Sequence, residues 1–146
     1  MIYCGYSGCG KTTYCLAHPD TAIDLDSTHW EKVEGWEKEY INHALSLSKD
    51  KDVFISAHCA VIEYCRAQNI PFTIIAPACS RQEWQSRLEF RFYGCRTLSN
   101  WKALADFEMN FDRDIEYYSK LQAEGIPVKW ITAKVITTIG DFITRE

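Results

Sequence analysis

Short apolar runs alternate along the chain with stretches of helical spacing. The runs occupy residues 1–5, 22–26, 52–56, 71–76 and 127–132, each strand-length and bounded by polar or turn-forming residues. Between the first two lies a short helical stretch, residues 11–18, stopped by Pro19, whose ring cannot continue a helix. After Asp26 the apolar positions Trp30, Val33, Trp36, Tyr40, Ile41, Ala44 and Leu47 recur at helical spacing. Gly35 interrupts them, so the helix is expected from about Trp36 onward. Residues 58–69 read as a crossover helix with Val61, Ile62 and Cys65 facing inward, and Ser80-Arg81-Gln82-Glu83 is a capping box that opens another. Residues 94–100 carry no period and read as a loop. Beyond them Leu104, Phe107, Phe111, Ile115, Tyr118 and Leu121 recur every three or four positions up to Gly125, the pattern of a long amphipathic helix. Strands separated by helices predict βαβ units, hence an α/β fold on a parallel sheet.

At 146 residues the chain has room for a single domain, and it contains no repeat, charge run or Pro/Gly/Ser-rich linker that would divide it. With 47% hydrophobic and 25% charged residues it is globular in composition rather than disordered. The net charge of −4 provides no global basic field, which disfavours tight duplex binding while leaving a local basic patch open. Seven cysteines, odd in number and without a C-x-x-C pair, read as reduced core thiols. His58 and Cys59 are adjacent, a spacing that suits no structural zinc site. No apolar run approaches 18 residues, and the chain opens on a strand-like Met1-Ile2-Tyr3-Cys4 that leaves no space for a signal peptide. A soluble, cytoplasmic protein without a membrane partner is expected; its oligomeric state is not legible.

The sharpest chemical signal is Gly5-Tyr6-Ser7-Gly8-Cys9-Gly10-Lys11-Thr12, which fits G-x-x-x-x-G-K-[ST] at every fixed position and lies between an expected strand and an expected helix. Backbone N–H groups of such a loop converge on phosphate, with glycines permitting positive φ and close approach. Lys11 would supply a charge at the β- and γ-phosphates and Thr12 a hydroxyl ligand to magnesium. Cys9 has two readings, a tolerated small residue or a thiol with lowered pKa beside Lys11.

Ligands of open parallel sheets sit beyond the carboxyl ends of the strands. Strand two ends in Asp24-Leu25-Asp26-Ser27, and alternation puts both carboxylates on one side, where they can hold magnesium through water, orient an acceptor or take its proton. Asp26, nearest the tip, is the favoured functional member; a helix cap at Asp26 or Ser27 is the alternative. Strand three ends in Ser56-Ala57-His58 without the Walker B aspartate of many nucleoside triphosphatases. Ser56 and His58 read equally as phosphate contacts or as capping and packing residues. Arg81, Arg87, Arg91 and Arg96 cluster after strand four, with Arg87 and Arg91 on one helical face, suited to a transferring phosphoryl group or to pairing with Glu83 and Glu89. Trp36 and Tyr40 read as a stacking surface for an acceptor base or as core. Residues 25–59 contain no arginine to grip an acceptor phosphate.

GYSGCGKT at 5–12, DLDS at 24–27, Trp36-x-x-x-Tyr40, FISAH at 54–58 and Trp84-x-x-Arg87-x-x-x-Arg91 follow in an order that resembles the small P-loop nucleoside and nucleotide kinases, and most closely the short kinase-like proteins of bacteriophages. The resemblance covers nearly the whole chain. It implies the P-loop fold with a five-stranded parallel sheet of order 2-3-1-4-5, a short helical lid at about residues 80–100, ATP with Mg2+ as donor, and a nucleoside monophosphate as acceptor, in a host cytoplasm if the chain is viral. By this likeness Gly5, Ser7, Gly8, Cys9, Gly10, Lys11, Thr12 and Thr13 hold the donor, and Thr12, Asp24 and Asp26 hold the metal. Asp24, Asp26, Trp36, Tyr40, Ser56 and His58 face the acceptor, and Lys11, Asp26, Arg87 and Arg91 carry the transfer. Two rival functions are a kinase for a polynucleotide end or a modified base in DNA, and a nucleotide-binding regulator without catalysis.

Overall fold

A computed structural model describes residues 1–27 and 30–132. Five strands form one all-parallel sheet: β1 (Ile2–Gly5), β2 (Ala22–Leu25), β3 (Asp52–Ser56), β4 (Thr73–Pro77) and β5 (Val128–Ile131), in the spatial order β2-β3-β1-β4-β5. This is the order the resemblance implies. The helices are α1 (Lys11–Ala17), α2 (Trp36–Leu47), α3 (Cys59–Ala67), α4 (Arg81–Gly94) and α5 (Leu98–Ala123).

The central strands are apolar on both faces because helices cover both. Val53, Phe54, Ile55, Ile74 and Ile75 are buried, as a sheet sandwiched between helical layers requires. The chain moves across the sheet in one direction from β1 to β2 and in the other from β2 to β3, so right-handed crossovers put α1 on one face and α2 on the other. α2 packs on α3, and α5 packs on α4 and β4. β1 lies between β3 and β4, with Gly5 in register with Ser56 on one side and Ile75 on the other. The loop after β1 therefore emerges at the centre of the carboxyl edge, flanked by the tips of β3 and β4.

The sequence expectation fails at the α4–α5 connection. The loop expected over residues 94–100 is confined to 95–97, because α4 continues through Gly94 and α5 already starts at Leu98. Thr97 caps α5, its Oγ1 accepting the Asn100 N–H at 3.1 Å, and the buried Asn100 amide donates to the Cys95 carbonyl at 2.8 Å. The first turn of α5 is polar or exposed, so no apolar period announces it. Ser80 caps α4 as the sequence predicts, its Oγ accepting the Glu83 N–H; the Glu83 carboxylate turns back to the Ser80 hydroxyl, which donates to it. Among the described residues no helix is long and apolar enough to cross a membrane.

Candidate functional site

The Gly5–Lys11 loop is shaped by glycine where a side chain would not fit. Gly8 (φ +90°) and Gly10 (φ +96°) are left-handed, and Gly10 is the residue from which α1 starts. A Cβ on Gly5 would stand 2.7 Å from the Cys9 sulfur, and one on Gly8 2.8 Å from Leu88 Cδ2. The Tyr6 N–H donates to the Ile75 carbonyl at 2.9 Å, tying the loop to β4. Lys11, Thr12 and Thr13 open α1 and line the cleft above the loop. Cys9 is buried, and burial pushes its thiol pKa up against the opposing pull of Lys11, Arg87 and Arg91. Burial thus favours the reading of Cys9 as a tolerated small residue over that of a reactive thiolate, since desolvation outweighs the neighbouring cations.

The carboxylates of strand two lie on one side, as alternation requires, but do different work. Thr12 donates its hydroxyl to Asp24 Oδ2 at 2.5 Å, while Asp24 Oδ1 is buried with no partner among the described residues. Asp26, one step past β2, lines the cleft, where Ser99 at the start of α5 donates to it at 3.4 Å. Tyr40 links the strand ends, its hydroxyl donating to the Leu25 carbonyl and accepting the Ser56 N–H at 3.2 Å. Ser27 donates to the Ser56 hydroxyl at 2.9 Å. His58 caps α3, its Nδ1 accepting the Ala60 N–H. Asp26, Ser56 and His58 thus reach the cleft wall, whereas Trp36 and Tyr40 are core residues; the aromatic rings on the wall are Tyr6, Trp30, Phe90 and Trp101.

Helix α4 is docked on the loop rather than standing off it. The buried Trp84 donates its indole N–H to the Ser7 carbonyl at 3.0 Å, and Arg87 donates its Nε–H to the Gly8 carbonyl at 2.6 Å. Leu88 fills the space beneath Gly8, and Arg91, one turn on, lines the cleft. Two further cations escaped the sequence reading. Lys32 donates to the Ser27 and Trp30 carbonyls and lies 4.8 Å from the Trp36 ring centroid. Partial burial, then the charge of Lys102 on α5, lowers its pKa. Lysines in the span without arginine were the available hint for Lys32; nothing in the local sequence marks Lys102.

The cleft encloses about 1310 Å³ beyond the carboxyl ends of β1, β2 and β3, under α4 and α5. That exceeds the range of about 300–1,000 Å³ usual for one small ligand. One end of it is acidic. Tyr6 is packed edge-on against Trp84, Phe111 and Tyr118, and its buried hydroxyl finds no partner among the described residues. Asp106 and Asp114 lie near it, and burial raises the Asp114 carboxyl against the pull of Arg113. Among the described residues no three His, Cys, Asp or Glu side chains gather to hold a metal ion. The pair at Thr12 and Asp24 still fits a hard cation such as Mg2+, which takes one or two protein oxygens and completes its shell with water and phosphate. Asp24 Oδ1, an oxygen left without a partner, is consistent with that fit. No protein-family model matches this chain, and no curated protein does.

Proposed function

We propose that the protein transfers the γ-phosphoryl group of ATP, as its magnesium complex, to a nucleoside monophosphate. The observation that carries this reading is the G-x-x-x-x-G-K-T loop between β1 and α1, opening into a cleft large enough for two ligands beside the Thr12–Asp24 pair. Glycine-built loops of this form cradle phosphates with backbone N–H groups, and Lys11 adds the charge that follows the β- and γ-oxygens. When bound, Mg2+ neutralises the β- and γ-phosphates; Thr12 and Asp24 would hold it, with Asp26 in reach through water.

The attacking atom is a phosphate oxygen of the acceptor, already deprotonated at neutral pH, so no side chain needs to remove a proton. The protein's contribution is position and charge. Lys32, close to both Asp26 and Lys102, and Lys102 itself line the cleft and supply the cations that no arginine of the β2–α2 region provides. Arg91 faces the transferred group from α4, while Arg87 holds the Gly8 carbonyl and with it the loop. The test is ADP release from Mg-ATP with each common ribo- and deoxyribonucleoside monophosphate and each nucleoside in turn. Stimulation by a monophosphate, abolished in Lys11→Ala, is the expected result. ATP binding with no stimulation across the panel overturns it.

A further inference from the structure

The exposed aromatic rings of the described surface are concentrated on one hairpin. Phe90 and Tyr93 on α4 and Trp101 in the first turn of α5 are 83%, 64% and 54% exposed. Cations alternate with them. Residues 86–103 hold Arg87, Arg91, Arg96 and Lys102 against the single carboxylate Glu89, a net +3 in a chain of net −4. Phe90, Arg91, Trp101 and Lys102 line the cleft. Tyr93 and Arg96 continue the series outside it, with the Arg96 guanidinium 5.4 Å from the Tyr93 ring centroid. Rings and cations therefore run as one track from the cleft mouth around the turn joining the helices.

Large rings held in water are costly unless something covers them. An interface between two copies of the chain would be depleted of charge at its centre, whereas here Arg96 lies over the Tyr93 ring, and Arg91 and Lys102 share the cleft wall with Phe90 and Trp101. Interleaved rings and cations suit single-stranded nucleic acid, because each base offers a face to stack on and each phosphate an anion to pair with. A duplex hides its base faces, and the net −4 offers it no compensating field.

We propose that the α4–α5 hairpin binds single-stranded nucleic acid, with bases stacking on Tyr93 and Trp101 and phosphates held by Arg91, Arg96 and Lys102, so that a strand is led toward the cleft. This goes beyond phosphoryl transfer and is measurable without it. A labelled single strand of about 12 nucleotides is titrated with the full chain without ATP, read by fluorescence anisotropy, beside a duplex of the same sequence. The expected result is binding that prefers the single strand and weakens with salt. Tyr93→Ala and Trp101→Ala should each lower affinity about tenfold, and Arg96→Gln should make the salt dependence shallower. All three side chains are exposed, so these variants should keep the fold, which circular dichroism checks. No binding, equal binding of strand and duplex, or full affinity in both aromatic variants overturns the proposal. So does a dimer in sedimentation that Trp101→Ala dissolves. Lys11→Ala separates the two readings: it should stop phosphoryl transfer and bind the strand as wild type does. Turnover without strand binding removes this inference alone, and strand binding without turnover removes the other alone.

Discussion

Arg87 on α4 donates its Nε–H to the carbonyl of Gly8, 2.6 Å away in the loop after β1, and Trp84 one turn earlier holds the carbonyl of Ser7. The loop's carbonyls are thereby turned toward α4. Arg87→Lys keeps a positive charge but loses the planar N–H that makes this bond. A hydrogen bond from a charged donor contributes about 1.5–3 kcal/mol when buried, so about 1–2 kcal/mol is expected at this half-buried site. Urea unfolding and ATP titration should both register the loss; an unchanged midpoint with unchanged affinity would show that the clasp contributes nothing.

Gly8 faces two separate obstacles to substitution. Its φ of +90° costs an L-residue about 1–2 kcal/mol, and a Cβ there would meet Leu88 Cδ2 at 2.8 Å. Leu88→Ala removes the second obstacle and leaves the first. Gly8→Ala should therefore destabilise the Leu88→Ala protein by less than it destabilises the wild type, with a residue of about 1–2 kcal/mol. Equal penalties in the two backgrounds would remove the steric half of the argument.

Thr12 and Asp24 share a hydrogen bond at the expected metal position. Asp24→Asn keeps the shape and removes the anion, so the Mg2+ concentration for half-maximal turnover should rise about 10–100-fold, while metal-free ATP binds at least as well. Turnover measured against Mg2+ at fixed ATP decides it; an unshifted curve takes Asp24 out of the metal's surroundings.

Burial raises the Asp114 carboxyl above its ordinary value, with Asp106 adding to the shift and Arg113 opposing it. A raised carboxyl favours the protonated form in the folded state, so its stabilising contribution is complete below the unfolded-state pKa and is lost as pH rises through the folded value. Asp114→Asn should raise the Tm at pH 7 and lose that advantage in acid. Melting curves between pH 3 and pH 8 in which the difference between variant and wild type does not shrink toward acid would contradict the burial argument.

Thiol reactivity should follow exposure rather than position in the loop. Burial pushes Cys15 to about 12 and Cys65 to about 11, and raises Cys9 as well. Alkylation at neutral pH followed by peptide mapping should label the exposed Cys59 and Cys95 first. Early labelling of Cys9 would mean that the loop opens readily.

The strands and most of the helices could be read directly, because each is announced by a local pattern: an apolar run, Pro19 after α1, Gly35 before α2, the box at Ser80. The start of α5 could not, since its first turn is capped by Thr97 and packed through the amide of Asn100, neither of which leaves a period in the sequence. Trp36 and Tyr40 were legible as an aromatic pair with two readings, a stacking surface or core, and burial decides for core. The Tyr40 hydroxyl is satisfied there by Leu25 and Ser56, at the ends of two strands distant in sequence.

Sequence alone determined the order of strands and helices and the Gly5–Thr12 loop, because both depend on chemistry within a few residues: turn, cap, period and the conformational freedom of glycine. Tertiary structure decided what surrounds the loop. That Trp84 and Arg87 clasp it, that Lys32 comes close to both Asp26 and Lys102, and that burial raises the Cys9 thiol all follow from how distant segments pack. Desolvation and the meeting of charges are properties of that packing, and no local pattern encodes them.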